Sequence, residues 1–226
     1  MRLFSKLAAA AMLTAGVMTV SAAGAASSDQ TSVLANAQST IVDMKHDQTF
    51  GPSRDLIRRA RAVLIIPKLV KAGFIFGGEG GDGVLVAHNG KAGWGSPAFY
   101  TMGSASFGFQ IGIEQAQLVL FIMSDKALRA VERSEFKIGA GAGLTVVTVG
   151  ASAEGATSGN LSGDIIVWTS AKGAYGGLTL NGSVIKPRDG WNEEYYGRPV
   201  TVREILAHKV RNPGSAGLLG ELSSTR

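Results

Sequence analysis

The chain has no cysteine, only three histidines and only six prolines in 226 residues. No disulfide framework, thiolate metal site or cysteine nucleophile can therefore be built. His46, His88 and His208 are scattered, and none belongs to a zinc-binding helix pattern or a His/carboxylate cluster at ligand spacing. A Gly-x-Ser-x-Gly nucleophile elbow is missing as well. Charged residues make up 17% of the sequence, with a formal net charge of +5. That surplus suits an anionic surface but does not mark a nucleic-acid binder. What the chain does have in quantity is glycine, 31 residues, in a sequence that is 45% hydrophobic. A mean hydropathy of +0.17 fits a packed domain rather than a disordered one.

Residues 1–25 read as a secretory signal peptide. Arg2 and Lys6 form a positive start, Leu7–Val20 is apolar and uncharged, and Ala23-Gly24-Ala25 is an A-x-A-like cleavage site. The apolar stretch, rich in Ala, Gly and Thr, is short for a membrane span. The expected product is periplasmic or secreted. The mature chain, about 200 residues, is long enough for one domain with its own core.

Residues 26–52 are expected to hold an amphipathic helix and a connection. Val33, Leu34, Ala37, Ile41 and Met44 recur at three- and four-residue steps between Ser28 and about His46. After a break at 48–52, Ser53 is placed to cap a second helix that runs to about Arg61. A predominantly strand-forming region extends from Ala62 to Ser183. It includes Ala62–Pro67, Phe74–Phe76, Val84–His88, Ala98–Met102, Phe107–Ile113, Leu118–Met123, Leu144–Val149, Ile165–Ser170 and Gly177–Leu180. The glycines at 77, 78, 80, 81 and 83 read as a tight irregular turn between two of these strands. Ser124 and Asp125 open a single helix over Lys126–Arg133. Thr201-Val-Arg-Glu204 is a capping box, with Val200 and Ile205 as its staple, and it starts a helix over Val202–Val210. Residues 211–226 are expected to form a flexible tail. The predicted architecture is α+β: a single domain with a glycine-rich curved antiparallel β-sheet or barrel-like core, flanked by N-terminal and C-terminal helices.

Several strings imitate catalytic or ligand motifs. Gly78-x-Gly80-x-x-Gly83 matches the dinucleotide fingerprint, but a strand, Val84–Ala87, stands where that fingerprint needs a helix N-terminus. Residues 77–84 also fit one calcium-binding nonapeptide; such units complete their oxygen cage only when stacked, and there is one copy. Asp82 reads as a turn residue bonding to its own backbone. Glu193-Glu194, before Tyr195-Tyr196, reads as a solvated loop whose adjacent carboxylates diverge. No enzyme activity, metal or organic cofactor is expected.

The basic stretch is more informative. Arg54, Arg58 and Arg61 fall at i, i+4 and i+7, and Arg59, Lys68 and Lys71 lie close by. Guanidinium groups hold phosphate oxygens bidentately. Near an anionic bilayer each such charge contributes on the order of 1 kcal/mol. The alternative is an ordinary solvated helix face.

Blocks along most of the chain resemble the SYLF family, in that family's order. Lys71-Ala-Gly-Phe-x-Phe-Gly-Gly, Gly83-Val-Leu-Val-Ala and Gly93-Trp-Gly-Ser-Pro-Ala-Phe99 resemble the start of its core. Gly108-Phe-Gln-Ile-Gly-Ile-Glu114, Leu118–Met123 and Lys126-Ala-Leu resemble its middle. Ala171-Lys-Gly173, Tyr195-Tyr-Gly197 and Val202-x-Glu-Ile-Leu206 resemble its end. The resemblance implies a lipid-binding domain over residues 53–210. Phosphoinositides are ligands of eukaryotic members, and some of those members also bind actin. In a cell envelope it implies non-catalytic binding of anionic phospholipid at a membrane surface. Arg58, Arg59, Arg61, Lys68 and Lys71 stand where the family's basic lipid-contacting part lies. The alternative expectation is an envelope structural or protein-interaction module that uses exposed sheet edges. Its protein partner is unknown, and no nucleic acid is expected.

Overall fold

Local signals at the N-terminal end produce the helix expected there. Ser27 and Gln30 form a capping box: Gln30 N donates to Ser27 Oγ at 3.4 Å, and Ser27 N donates to Gln30 Oε1 at 3.0 Å. Helix α1 (Ser28–His46) then buries Leu34, Ala37, Ile41 and Met44, the stripe that the spacing predicts. The structure, a computed structural model, describes residues 27–48, 50–73, 76–107, 112–133, 135–138, 145–150, 162–170, 180 and 182–224. The expected signal peptide, the expected strand at 177–179 and the Ala171-Lys-Gly173 block lie outside the described residues.

Helix α2 (Ser53–Arg59) is shorter than expected. Its cap position is Pro52, and no side chain bonds its first amides, so Ser53 is its first residue rather than its cap. The strands are β1 (Ala62–Gly73), β2 (Phe76–Asn89), β3 (Gly93–Trp94), β4 (Ala98–Phe107), β5 (Gly112–Ile122), β6 (Phe136–Lys137), β7 (Val146–Gly150), β8 (Ile165–Thr169) and β9 (Val184–Pro187). They form one curled sheet in the order β6-β9-β4-β2-β1-β5-β8-β7, with β3 paired to β2. Every pairing is antiparallel except β7 with β8. The remaining helices are α3 (Asp125–Val131), α4 (Asp189–Tyr196), α5 (Val202–Leu206) and α6 (Ala216–Ser223). The α+β single-domain architecture with helices at both ends is as predicted.

Both faces of the central strands are covered. On one face Leu64, Ile66, Leu85, Tyr100, Leu118 and Leu120 pack with Ala127 and Val131 of α3 and with Val202 and Ile205 of α5. On the other, Val63, Ile65, Val86, Phe99, Phe121 and Trp168 meet Ile41 and Met44 of α1, Leu56 and Ile57 of α2, Tyr195 of α4, and Leu218 and Leu222 of α6. We call the second the α1 face. Burying each such side chain contributes about 1.5–3 kcal/mol, so this two-sided packing anchors the fold.

Four expectations are corrected. The glycine run 77–83 is no turn: it lies inside β2, which pairs with β1 from Gly77 opposite Gly73 to Ala87 opposite Ala62. A Cβ on Gly81 would sit 2.4 Å from Lys68 O, and one on Gly83 would sit 2.1 Å from Ile65 O, so these positions need glycine because β1 presses on them. Asp82 accordingly bonds across space, accepting from Arg188 Nη1 at 2.7 Å. Of the expected strand Phe107–Ile113, Phe107 ends β4 and Gly112 and Ile113 begin β5, while residues 108–111 lie outside the described residues. The Glu193-Glu194 loop is helix α4, closed by Gly197 in the left-handed region at φ 65°.

The fourth correction concerns the expected flexible tail, whose 216–223 segment is helix α6, with Leu218 and Leu222 in the core. Lys45 of α1 clasps it, donating to the Glu221 carbonyl, to Glu221 Oε2 at 3.2 Å and to Ser224 Oγ at 2.9 Å. The predicted Thr201 capping box does form, with Glu204 N donating to Thr201 Oγ1 at 3.2 Å and Thr201 N donating to Glu204 Oε2 at 2.9 Å. The Thr201 N–H, and the Thr201 hydroxyl at 2.9 Å, donate to the Glu204 carboxylate, favour its ionised form and hold its pKa below the usual range.

Candidate functional site

Helix α2 turns Leu56 and Ile57 into the core, which leaves Arg54, Arg58 and Arg59 on its exposed side. Asp55 accepts from Arg58 Nη2 and from Arg59 Nε, each at 2.8 Å. These arginine side chains remain 61% and 53% exposed. Ion pairs so open to water contribute about 0–1 kcal/mol, too little to withhold the guanidinium groups from a phosphate. Three arginines against one aspartate leave α2 positive. Arg61 does not continue the stripe, because the helix stops at Arg59. Arg61 N donates to Ile122 O at 2.7 Å, and its side chain pairs with Asp125 at 3.2 Å, so it faces the start of α3.

Lys68 is positioned by a defect in β1. Against β2, Ile65 pairs with Val84 and Val70 with Gly80; against β5, Ile66 pairs with Leu118 and Leu69 with Ala116. On both sides β1 spends one more residue than its partner, so Pro67–Lys68 forms a β-bulge. Proline lacks the N–H that a regular ladder needs and is found in central strands only at such irregularities. The bulge has a directional effect. Ile66 and Leu69 both reach the core cluster beneath α3 and α5, although strict alternation would put them on opposite faces. Lys68, which alternation would aim at that apolar cluster, is exposed instead. It lines an open hollow of about 310 Å³ on the α1 face, together with Asn36, Ser39, Gln115, Gln117 and Ser170. Gln117 is held by its bond to Asp43, Nε2 to Oδ2 at 2.8 Å, and its backbone N–H donates to Ser170 Oγ at 2.9 Å. Lys68 and Arg54 enter no ion pair among the described residues.

Lys71 has different surroundings. The ladder sets it opposite Glu79 on β2 and opposite Glu114 on β5. Glu79 is buried and accepts from Ser104 Oγ at 2.9 Å. Of the five residues named from the sequence, Arg58 and Arg59 share α2, Lys68 stands at the bulge on the same α1 face, Arg61 turns toward α3, and Lys71 lies between carboxylate positions. The amide and hydroxyl groups around Lys68 were not foreseen; Pro67 inside a β-rich run was the local signal for them.

A second basic corner gathers residues that the sequence scatters. His88, at the end of β2, stacks on Trp94 with ring centroids 4.8 Å apart. Partial burial, reinforced by the charges of His208 and Arg61, holds its pKa below the usual histidine value. His208, expected on the last helix, lies beyond α5 at φ 60°. Tyr100 and Tyr196 are deeply placed and donate to Val131 O at 3.0 Å and to Pro97 O at 2.7 Å. Burial pushes both phenols well above their ordinary value. Among the described residues no three His, Asp or Glu side chains are grouped to hold a metal ion, and no helix is long and apolar enough to cross a membrane.

Comparison with known proteins supplies the wider setting. The family model described as "Ysc84: Las17-binding protein actin regulator" matches residues 103–225, from β4 to beyond α6. LAS seventeen-binding protein 3 of Saccharomyces cerevisiae is 30% identical over 190 residues, which cover 81% of this chain and 41% of that protein. Protein YSC84 of the same species is likewise 30% identical over 190 residues, 81% of this chain and 40% of its own length. The human SH3 domain-containing YSC84-like protein 1 is 27% identical over 168 residues, 74% of this chain and 49% of that protein. The chain thus spans between about two fifths and one half of the length of these curated relatives. Since the matched segment is more than half of the sequence and a relative 30% identical covers four fifths of it, the chain belongs to the Ysc84 family, the SYLF family that its glycine-rich blocks resemble.

Proposed function

We propose that this protein is a non-catalytic binding module that meets anionic phospholipid at a membrane surface of the cell envelope. The observation that carries the reading is the β1 bulge, which places Lys68 in a polar hollow on the face that also bears Arg54, Arg58 and Arg59. The ammonium and guanidinium groups supply charge-assisted bonds to phosphate oxygens, and the neighbouring amides and hydroxyls suit the polar remainder of a headgroup. Arg61 adds longer-range attraction. Lys71, set between Glu79 and Glu114, adds less. The phospholipid binding that the SYLF resemblance implies supports a headgroup ligand, and export through the expected signal peptide supports an envelope location.

Flotation of the full chain with vesicles is the test. Phosphatidylglycerol vesicles should carry the protein at low salt, phosphatidylcholine vesicles should not, and added salt should release it. Equal behaviour with both lipids would end the proposal. A second reading, docking of a protein partner, rests on the relatives whose names state binding to LAS seventeen. It predicts concentration-dependent complexes with a protein ligand and indifference to vesicles of either composition.

A further inference from the structure

The second basic corner contains a cleft of about 340 Å³ between β3, the segment 208–213 and the first turn of α6. Its polar walls are Ser96, His208, Arg211 and Asn212, its apolar walls include Trp94 and Leu219, and no carboxylate is among its lining residues. Arg211 is exposed and enters no ion pair among the described residues. A cationic rim over an apolar wall, with no acid to neutralise it, is complementary to a ligand that is anionic at one end and hydrocarbon at the other.

The backbone here is committed to that shape. Gly93 adopts φ 74°, and His208 is the one non-glycine residue at positive φ among the described residues. A left-handed conformation costs an L-residue of this kind on the order of 1 kcal/mol, and such costs concentrate at binding sites. A Cβ on Gly95 would lie 2.5 Å from His208 Nε2, so glycine at 95 is what lets the imidazole seat against β2, with Nε2 3.3 Å from Ala87 O. Asn212 is locked from three sides. Its Nδ2 donates to Tyr195 O at 2.7 Å, its Oδ1 accepts from Gly214 N at 2.9 Å, and its backbone N–H donates to Ser96 Oγ at 3.3 Å. Ser215, at the cap position of α6, donates to Asn212 O at 3.0 Å, and Ala216 N–H donates to Pro213 O, so the turn that opens α6 is fixed against Asn212.

We propose that this cleft binds a small amphipathic anion, a carboxylate or phosphate monoester held by Arg211 and His208, with its hydrocarbon part against Trp94 and Leu219. The anionic group can belong to a free single-chain amphiphile or to a lipid in a bilayer. The site is separate from the Lys68 hollow.

The test tracks the Trp94 indole N–H and the Ser96 and Asn212 amides of the full chain by heteronuclear NMR. Octyl phosphate and octanoate, below their micelle concentrations, should shift these signals saturably. Inorganic phosphate should bind at least about tenfold more weakly, because it gains nothing from the apolar wall. Arg211→Gln should weaken octyl phosphate about tenfold. His208→Asn, which tolerates the left-handed backbone, should weaken it too while the rest of the spectrum stays folded. Lys68→Glu should leave it unchanged, which separates this site from the α1-face reading. If phosphatidylglycerol vesicles perturb the same signals, the ligand is a bilayer lipid; if only the soluble amphiphiles do, it is a free anion. No saturable shift with either amphiphile, equal affinity for inorganic phosphate, or full binding by both variants would overturn the proposal.

Discussion

The strands β4, β2, β1 and β5 each have two unlike halves, and the two sets meet at the Pro67–Lys68 bulge. On one side lie Val63, Leu64, Ile65, Leu85, Val86, Phe99, Leu120 and Phe121, all fully buried, with helices on both faces. On the other side the described strands carry Gly78, Gly80, Gly81, Gly83, Gly103 and Ser104, with Glu79 and Asp82 in place of large apolar groups. The first half uses both faces for burial and has none to offer a ligand. The second half, together with the bulge, carries polar and charged groups instead: Glu79 buried against Ser104, Asp82 half-buried against Arg188, and Lys68 exposed. Stability and recognition are thus divided along the same strands rather than between separate domains.

The largest effect should come from the apolar half. Phe121→Ala removes a ring that touches Phe50 at 6.3 Å between centroids and should cost about 3–5 kcal/mol in urea unfolding. Ser104→Ala, in the glycine half, deletes one hydrogen bond to Glu79 and should cost only about 1–2 kcal/mol. Equal losses would erase the distinction. Gly83→Ala probes the junction. Its new methyl group meets the Ile65 carbonyl, so a loss of about 3 kcal/mol is expected, together with weaker vesicle binding as the bulge shifts.

A smaller, pH-dependent effect belongs to the second basic corner. His88 has a pKa below its unfolded value of 6.5, so the unfolded chain binds the proton more readily. Its contribution to stability is present above that value and is lost as pH falls from 6.5 through the folded pKa. Unfolding midpoints measured from pH 7.5 to 5 should fall for the native protein and fall less for His88→Gln. Identical slopes would show that His88 carries none of this dependence.

What could be read in advance was whatever short-range chemistry decides. The α1 stripe, the Thr201 capping box and the apolar segments Val84–His88, Ala98–Met102, Leu118–Ile122 and Ile165–Thr169 depend on residues a few positions apart, and they formed where expected. Helix α6 was missed because Leu218 and Leu222 are too few to announce a helix. It is held by α1, through Lys45 and a shared core that lies far away in sequence. The glycine run was misread for a related reason. Glycine signals a turn locally, whereas at 81 and 83 it answers to pressure from a neighbouring strand. The basic stripe expected from Arg54, Arg58 and Arg61 keeps its first two members on α2, whereas Arg61 leaves it because the helix stops at Arg59. That Lys68 would join them on the same face depended on a bulge of one residue, which periodicity alone does not reveal.

The sharpest experiment is Lys68→Glu, assayed for phosphatidylglycerol-vesicle affinity and for urea midpoint on the same preparation. Reversing one charge near an anionic surface is worth about 2 kcal/mol, so vesicle affinity should drop roughly thirtyfold. The midpoint of this exposed side chain should stay within about 0.5 kcal/mol of the native value. A variant that binds such vesicles as tightly as the native protein would leave the bulge with no part in lipid recognition.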